Sequence, residues 1–230
     1  MTDSRPAWLD RAREEILRAE EGFFAQFAPP AGGGRRSSVL ILFGPAPGGG
    51  EDVVLTERAH SLRTQPGDIS FPGGKREPDD PSDAAAALRE AQEEVGIDPA
   101  SVEVVAELPE VHLRPRQFRV TPVLAWWREH GHVDSIDPAE VHRALRVPVS
   151  RLLDPAARFT VTHPSGYVGP GFELDGWFIW GFTAGLLSAV LDSGGLTIPW
   201  DRSRERPLPA RYRPGGPRDA FTQTATEAQP

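Results

Sequence analysis

Apolar positions over residues 6–24 recur at helical intervals: Trp8, Leu9, Ala12, Ile16 and Ala19 share one side, and Arg and Glu fill the other. That period predicts an amphipathic N-terminal helix. Its polar face mixes both charge signs, which suits packing on a domain and not lying on a membrane surface. The pattern breaks over the Pro- and Gly-rich residues 29–36. It resumes as two apolar runs, SVLILF at 38–43 and DVVL at 52–55, separated by GPAPGGG. Two such runs around a Gly/Pro stretch read as an antiparallel hairpin. Residues 56–70 have no strong period. From Ser82 the composition switches to Ala, Leu, Arg and Glu, all strong helix formers, with Ser82 or Asp83 as N-cap and Gly96 as stop. A glycine loop feeding a helix of about three to four turns follows.

The pattern continues in short elements. Residues 101–108 alternate as a strand, 109–117 form a polar loop, and 118–127 form a second strand with Pro122 at an edge or bulge. Asp137 opens a segment running to Leu153. Residues 159–180 read as strand, turn, strand, and 181–191 as an apolar helix packed on the sheet. Beyond Trp200 the chain is Arg, Pro and Ser with little apolar content, so a disordered tail is expected. The organisation predicted is an N-terminal helix and linker (1–37), one α/β domain (38–200) and a tail (201–230).

Composition narrows the function classes. The 230 residues are 39% hydrophobic and 25% charged, with a net charge of −8, which argues against binding nucleic acid through a basic surface. There is no cysteine, so thiolate catalysis and Cys-type zinc sites are excluded. The first residues lack an apolar signal core, and the longest apolar run, 177–191, is short of a membrane span of ~20 residues. Cytoplasm is the expected compartment, with no membrane partner.

The faces of the central helix carry the candidate chemistry. At ~100° per residue, Ala84, Ala87, Leu88, Ala91 and Val95 share a packed arc, while Glu90, Glu93 and Glu94 fall on the opposite arc. Like charges at that spacing destabilise a helix by roughly 0.2–0.5 kcal/mol per pair. Arg89, four residues before Glu93, neutralises only part of the cluster. A hard divalent cation such as Mg²⁺ would relieve the repulsion by taking carboxylate oxygens and keeping waters for a phosphate-bearing substrate. Taken alone, the helix reads more readily as a solvated acidic face.

Context decides between those readings. Gly74, Arg89, Glu90, Glu93, Glu94, Gly96 and Ile97 resemble the box of the Nudix family. Two departures are visible: Asp80 stands where the pattern has Glu, and the helical half lies one residue later. The resemblance implies a Nudix fold, an α/β/α sandwich with a mixed sheet, and hydrolysis of a diphosphate linked to another moiety. It implies Mg²⁺ or Mn²⁺ held by Glu90 and Glu94, with Glu93 as a further ligand or the base, Arg89 holding a carboxylate and the Gly74 carbonyl completing coordination.

Upstream, Leu55, Thr56, Arg58, Leu62, Arg63, Gly67 and residues 71–75 resemble the coenzyme A pyrophosphatase branch, with Ala59 where that branch has Ser. That likeness implies cleavage of coenzyme A or a derivative to 3',5'-ADP and 4'-phosphopantetheine or its acyl form. Arg58 and Arg63 are candidate phosphate contacts, since guanidinium groups bind phosphate oxygens bidentately, and Lys75 is a third. His60 is expected near the same site, and Arg114 and Arg116 are candidate pocket residues. Glu140 is an extra ligand or base, or else an ordinary first-turn helical acid. The alternatives are hydrolysis of another nucleoside diphosphate derivative (ADP-ribose, NADH, a nucleoside triphosphate) or a non-catalytic nucleotide-sensing module. The partner is a small molecule, with a homodimer left open as the assembly.

Overall fold

The computed structural model describes residues 5–30, 34–113, 118–128 and 131–212. Helix α1 is Ala7–Arg18 and the single turn α2 is Phe23–Gln26. The N-terminal helix stops earlier than its apolar pattern suggested: Ala19 is already extended (φ −69°, ψ 122°), and Gly22, at φ 99°, then starts the single turn α2 in a new direction.

The main sheet is built on β1 (Arg35–Pro45). It pairs in parallel with β7 (Phe118–Trp127) and antiparallel with β2 (Glu51–Arg58) and β4 (Gly73–Lys75). β2 in turn carries β3 (Ile69–Ser70) and β8 (Val141–Pro148), and β7 carries β5 (Val102–Glu107) and β6 (Val111–Leu113). The sheet is therefore mixed. Successive β1 side chains point to opposite faces: Leu40 and Leu42 pack under α3 (Asp83–Val95), while Ile41 and Phe43 enter the larger core with α1 and α5 (Gly181–Ser193). Helices on both faces make the expected α/β/α sandwich.

Several segments are more regular than their sequence suggested. The glycine loop contributes β4, and the polar loop of 109–117 contributes β6; Arg114 and Arg116 lie outside the described residues. Pro122 sits inside β7, opposite the gap where β5 ends and β6 begins, so no ladder bond needs its missing N–H. The segment from Asp137 is not a helix. It forms a turn and then β8, because Val141, Leu145 and Val147 are buried by pairing with β2, and only Val149–Leu153 is helical (α4).

A second sheet of four strands orders β11 (Trp177–Ile179), β10 (Val168–Leu174), β9 (Arg158–Thr162) and β12 (Glu205–Pro207). β12 corrects the expected tail: it pairs in parallel with β9, and Leu208 is buried against Phe159, Val161 and Phe178. Replacing Leu208 with Ala is predicted to lower stability by about 2–4 kcal/mol, measured by chemical denaturation. An unchanged midpoint would mean that this segment is not part of the fold.

Candidate active site

The site is assembled by β4, the loop after it and α3. Ser82 is the N-cap, its Oγ accepting the Ala85 N–H at 3.0 Å, and Gly96 ends the helix at φ 72°. Asp83, the other candidate cap, is buried and does a different job. It accepts from Arg36 at 2.8 Å and Arg76 at 3.3 Å, tying the start of α3 to β1. Ala87, Ala91 and Val95 are buried against Leu40, Leu42 and Val123, and their small side chains let the helix lie close to the sheet.

That closeness is what the acidic residues feel. Glu94 is only 6% exposed and Glu90 is half-buried, whereas the Glu93 side chain is 59% exposed. A solvated acidic face is therefore the wrong description for two of the three. The Gly73 N–H donates to Glu94 Oε2 at 3.0 Å. A Cβ on Gly74 would sit 2.5–2.6 Å from the Glu90 carboxylate, and one on Gly73 would lie 2.3 Å from the Ser38 carbonyl oxygen. Glycine is needed at Gly74 for the carboxylate and at Gly73 for the strand behind it.

Arg89 organises the rest. Its Nε and Nη2 each donate to Asp80 at 3.1 Å, one to each carboxylate oxygen, and Nη2 also reaches the Lys75 carbonyl at 3.1 Å. Nη1 donates to Glu90 and to Glu93, both at 3.0 Å. Asp80 also accepts the Glu77 N–H at 2.8 Å, which closes the loop on itself. The departure at Asp80 thus has a structural role: it is the anchor of the arginine. The sequence reading missed this tether, although an acid at a loop position facing a helical Arg was its only available signal.

Electrostatics follow burial. The Glu94 carboxyl is pushed up to about 7, chiefly by desolvation, with the Gly73 N–H opposing; the charges of Glu90 and Glu140 raise it further and Arg58 lowers it. Desolvation also raises Glu90, with Arg89 opposing. Asp80 is held below the usual carboxylate range by its bonds from Arg89 and from the Glu77 backbone. Two desolvated carboxylates on adjacent turns, with a glycine strand pressed over them, form a donor set of oxygens that fits a hard divalent cation.

The other predicted residues are placed as follows. Arg58 is half-buried at the end of β2, its charge acting on Glu94, and its buried Nε has no hydrogen-bond partner among the described residues. Glu140 is exposed in the turn before β8 and acts on both Glu90 and Glu94. Lys75 is exposed and paired with Glu77 at 3.2 Å, and Arg63 is exposed on the loop between β2 and β3. His60 does not join this group; its ring meets Glu57 and His142 instead.

A sequence model of the NUDIX domain matches residues 34–165. The chain belongs to the Nudix family. It is 34% identical over 163 residues to Nudix hydrolase 15, mitochondrial, of Arabidopsis thaliana, covering 66% of this chain and 56% of that protein. It is 42% identical over 114 residues to the peroxisomal coenzyme A diphosphatase NUDT7 of Mus musculus, covering 48% and 46%. The uncharacterized Nudix hydrolase NudL of Cronobacter sakazakii matches at 34% identity over 200 residues, 80% of this chain and 94% of its own length. The chain spans about half the length of the plant relatives, Nudix hydrolase 22 included. The matched Nudix region ends at residue 165, yet α5 lies beyond it and supplies Leu186, Leu187 and Val190 to the larger core.

Two outcomes are expected of this Nudix site. Gly74→Ala is predicted to push the Glu90 carboxylate aside and weaken Mn²⁺ binding by about 10–100-fold, with the circular dichroism spectrum unchanged; wild-type affinity would contradict the packing described. Secondly, a raised carboxyl means that the folded chain keeps a proton that the unfolded chain releases. Stability from Glu94 is thus full below pH 4.5 and declines as pH rises towards 7. The metal-free protein is predicted to lose about 1–3 kcal/mol across that window relative to Glu94→Gln. Parallel pH profiles of the two proteins would contradict it.

Proposed function

We propose that this chain is a metal-dependent pyrophosphohydrolase that cleaves coenzyme A or its derivatives to 3',5'-ADP and 4'-phosphopantetheine, or the acyl form. The observation that carries the hydrolase reading is the desolvated Glu90–Glu94 pair beneath Gly73 and Gly74. Glu90 and Glu94 would hold the Mg²⁺ or Mn²⁺, with the Gly74 carbonyl and Glu93 as further donors. When bound there, the metal supplies charge neutralisation at phosphoryl oxygens and a lowered pKa for water.

The chain's own residues do the remaining work. Arg89 keeps Glu90 and Glu93 in place while its bonds to Asp80 fix it to the loop. Arg58, half-buried and with a buried Nε that has no hydrogen-bond partner among the described residues, is suited to grip a phosphate, and Arg63 and Lys75 stand exposed on the flanking loop and strand to take the outer phosphate oxygens. Water adds to one phosphorus and the bridging oxygen leaves with the other phosphate. The proton lost by the water passes to a carboxylate, for which Glu93 and Glu140 are the exposed choices.

The substrate assignment rests on residues 55–75 and on the likeness to a relative whose name states coenzyme A diphosphatase activity. The compartment expected is the cytoplasm. No helix among the described residues is long and apolar enough to cross a membrane, and the relatives' names state mitochondrial, chloroplastic and peroxisomal locations. A panel of coenzyme A, ADP-ribose, NADH and nucleoside triphosphates with Mg²⁺ and Mn²⁺ tests the reading. Fastest release from coenzyme A is expected, with Glu94→Gln slower by about 100-fold. Faster turnover of another substrate would overturn the coenzyme A assignment, and full activity of Glu94→Gln would overturn the metal helix.

A further inference from the structure

A second group of ligand atoms lies on β2, away from α3. Glu57, His60 and His142 each offer one ligand atom, and the three lie within 4.8 Å of one another. Glu57 is in phase with Val53 and Leu55, which enter the α1/α5 core, whereas Val54 packs under α3. Its carboxylate therefore leaves the sheet on the face opposite the Glu90–Glu94 pair.

The local backbone brings the histidines to it. Glu57 pairs with Arg143 but Arg58 pairs with Val141, so His142 is an extra residue on β8. Such a bulge re-aims a side chain. Val141 and Ala144 both pack on the α3 side, and the residues between them, His142 and Arg143, turn to the other face. There the His142 ring lies 4.6 Å from the ring of His60, which comes from the turn after β2.

We propose that Glu57, His60 and His142 form a second metal site, for a borderline divalent cation of the Zn²⁺ class, that cross-links β2 to β8. Two imidazoles and one carboxylate suit Zn²⁺, while Mg²⁺ prefers oxygen and near-octahedral geometry. Arg143 Nε takes Glu57 Oε2, and its guanidinium lies over the Trp177 ring at 5.1 Å. Glu57 Oε1 is thereby directed to His60, 3.0 Å away. A partner that fixes a ligating carboxylate is the usual support of a metal site. Around a tetrahedral ion with bonds of about 2.1 Å, ligand atoms stand about 3.4 Å apart. Loading would spread Glu57 and His60, now 3.0 Å apart, slightly, and the exposed His142 offers its atom within 4.8 Å of both.

The site has a structural consequence for the catalytic face. The Ala59 N–H donates to the Glu140 carbonyl at 2.8 Å, one residue from His60 and two from His142. A cation there would staple the end of β2, which carries Arg58, to the segment that carries Glu140. Both of those charges act on Glu94.

The test uses the full chain in excess Mg²⁺, titrated with Zn²⁺ by calorimetry and with Co²⁺ by its visible d–d absorption. One Zn²⁺ per chain that excess Mg²⁺ does not displace is expected, with its affinity falling at least about tenfold in His142→Ala and in His60→Ala. Zn²⁺ should raise the melting midpoint of the wild type and not of His142→Ala. The Glu90→Gln, Glu94→Gln double variant should keep the Zn²⁺ site, which separates it from the hydrolase metal. Zn²⁺ affinity unchanged in both histidine variants, or complete displacement by Mg²⁺, would overturn the proposal.

Discussion

One guanidinium links the parts of this site. Arg89 has five N–H donors in a rigid fork, and they reach both oxygens of Asp80, the Lys75 carbonyl, Glu90 and Glu93. The loop, the end of β4 and two carboxylates of α3 are thus tied to one side chain. The charge balance it leaves is uneven, because Arg89 gives no hydrogen bond to Glu94. That carboxylate accepts from the Gly73 backbone and feels Arg58 only through space. The least compensated carboxylate is therefore Glu94, beside Glu90, where the proposed cation would offset the cost of desolvation.

The sheet makes that arrangement affordable in packing terms. Alanines on the inner face of α3 bring the helix down onto Leu40 and Leu42, and β4 closes over its acidic side by pairing with β1. Glycine at Gly73 is then a steric requirement of the backbone, and at Gly74 it leaves the Glu90 carboxylate its place. β2 ends at Arg58, and β8 begins just after Glu140, so the paired ends of these strands deliver a cation and an anion to the mouth of the site. In the proposed mechanism, Arg58 and Glu140 come from the sheet's strand ends and the carboxylates for a metal come from the helix.

How much of this was legible depended on how far apart in sequence the interacting residues lie. The box was readable because its chemistry sits on neighbouring turns of one helix, where spacing alone fixes which residues share a face. The mixed sheet and the helices on both sides followed from the apolar pattern and the family resemblance. Asp80 was seen only as a departure, because its partnership with Arg89 depends on how the loop folds back. The strand from Val141, the short β6 and β12 were missed for a related reason: each is extended because a distant strand pairs with it, and local propensity carries no trace of that. The placement of His60 was also misjudged. His60 lies in the turn after β2, where its ring meets Glu57 and the His142 that the β8 bulge presents, an arrangement invisible in sequence.

The claim that a desolvated Glu94 is built to meet a cation is tested most directly by counting the protons released when Mn²⁺ binds, from calorimetry in buffers of different ionisation enthalpy. A carboxyl raised to about 7 is largely protonated near pH 6 and must release its proton to become a ligand. The account predicts release approaching about one proton per chain near pH 6, falling towards zero by about pH 8.5, and absent at both in Glu94→Gln. Release that is independent of pH, or unchanged in the variant, would contradict it.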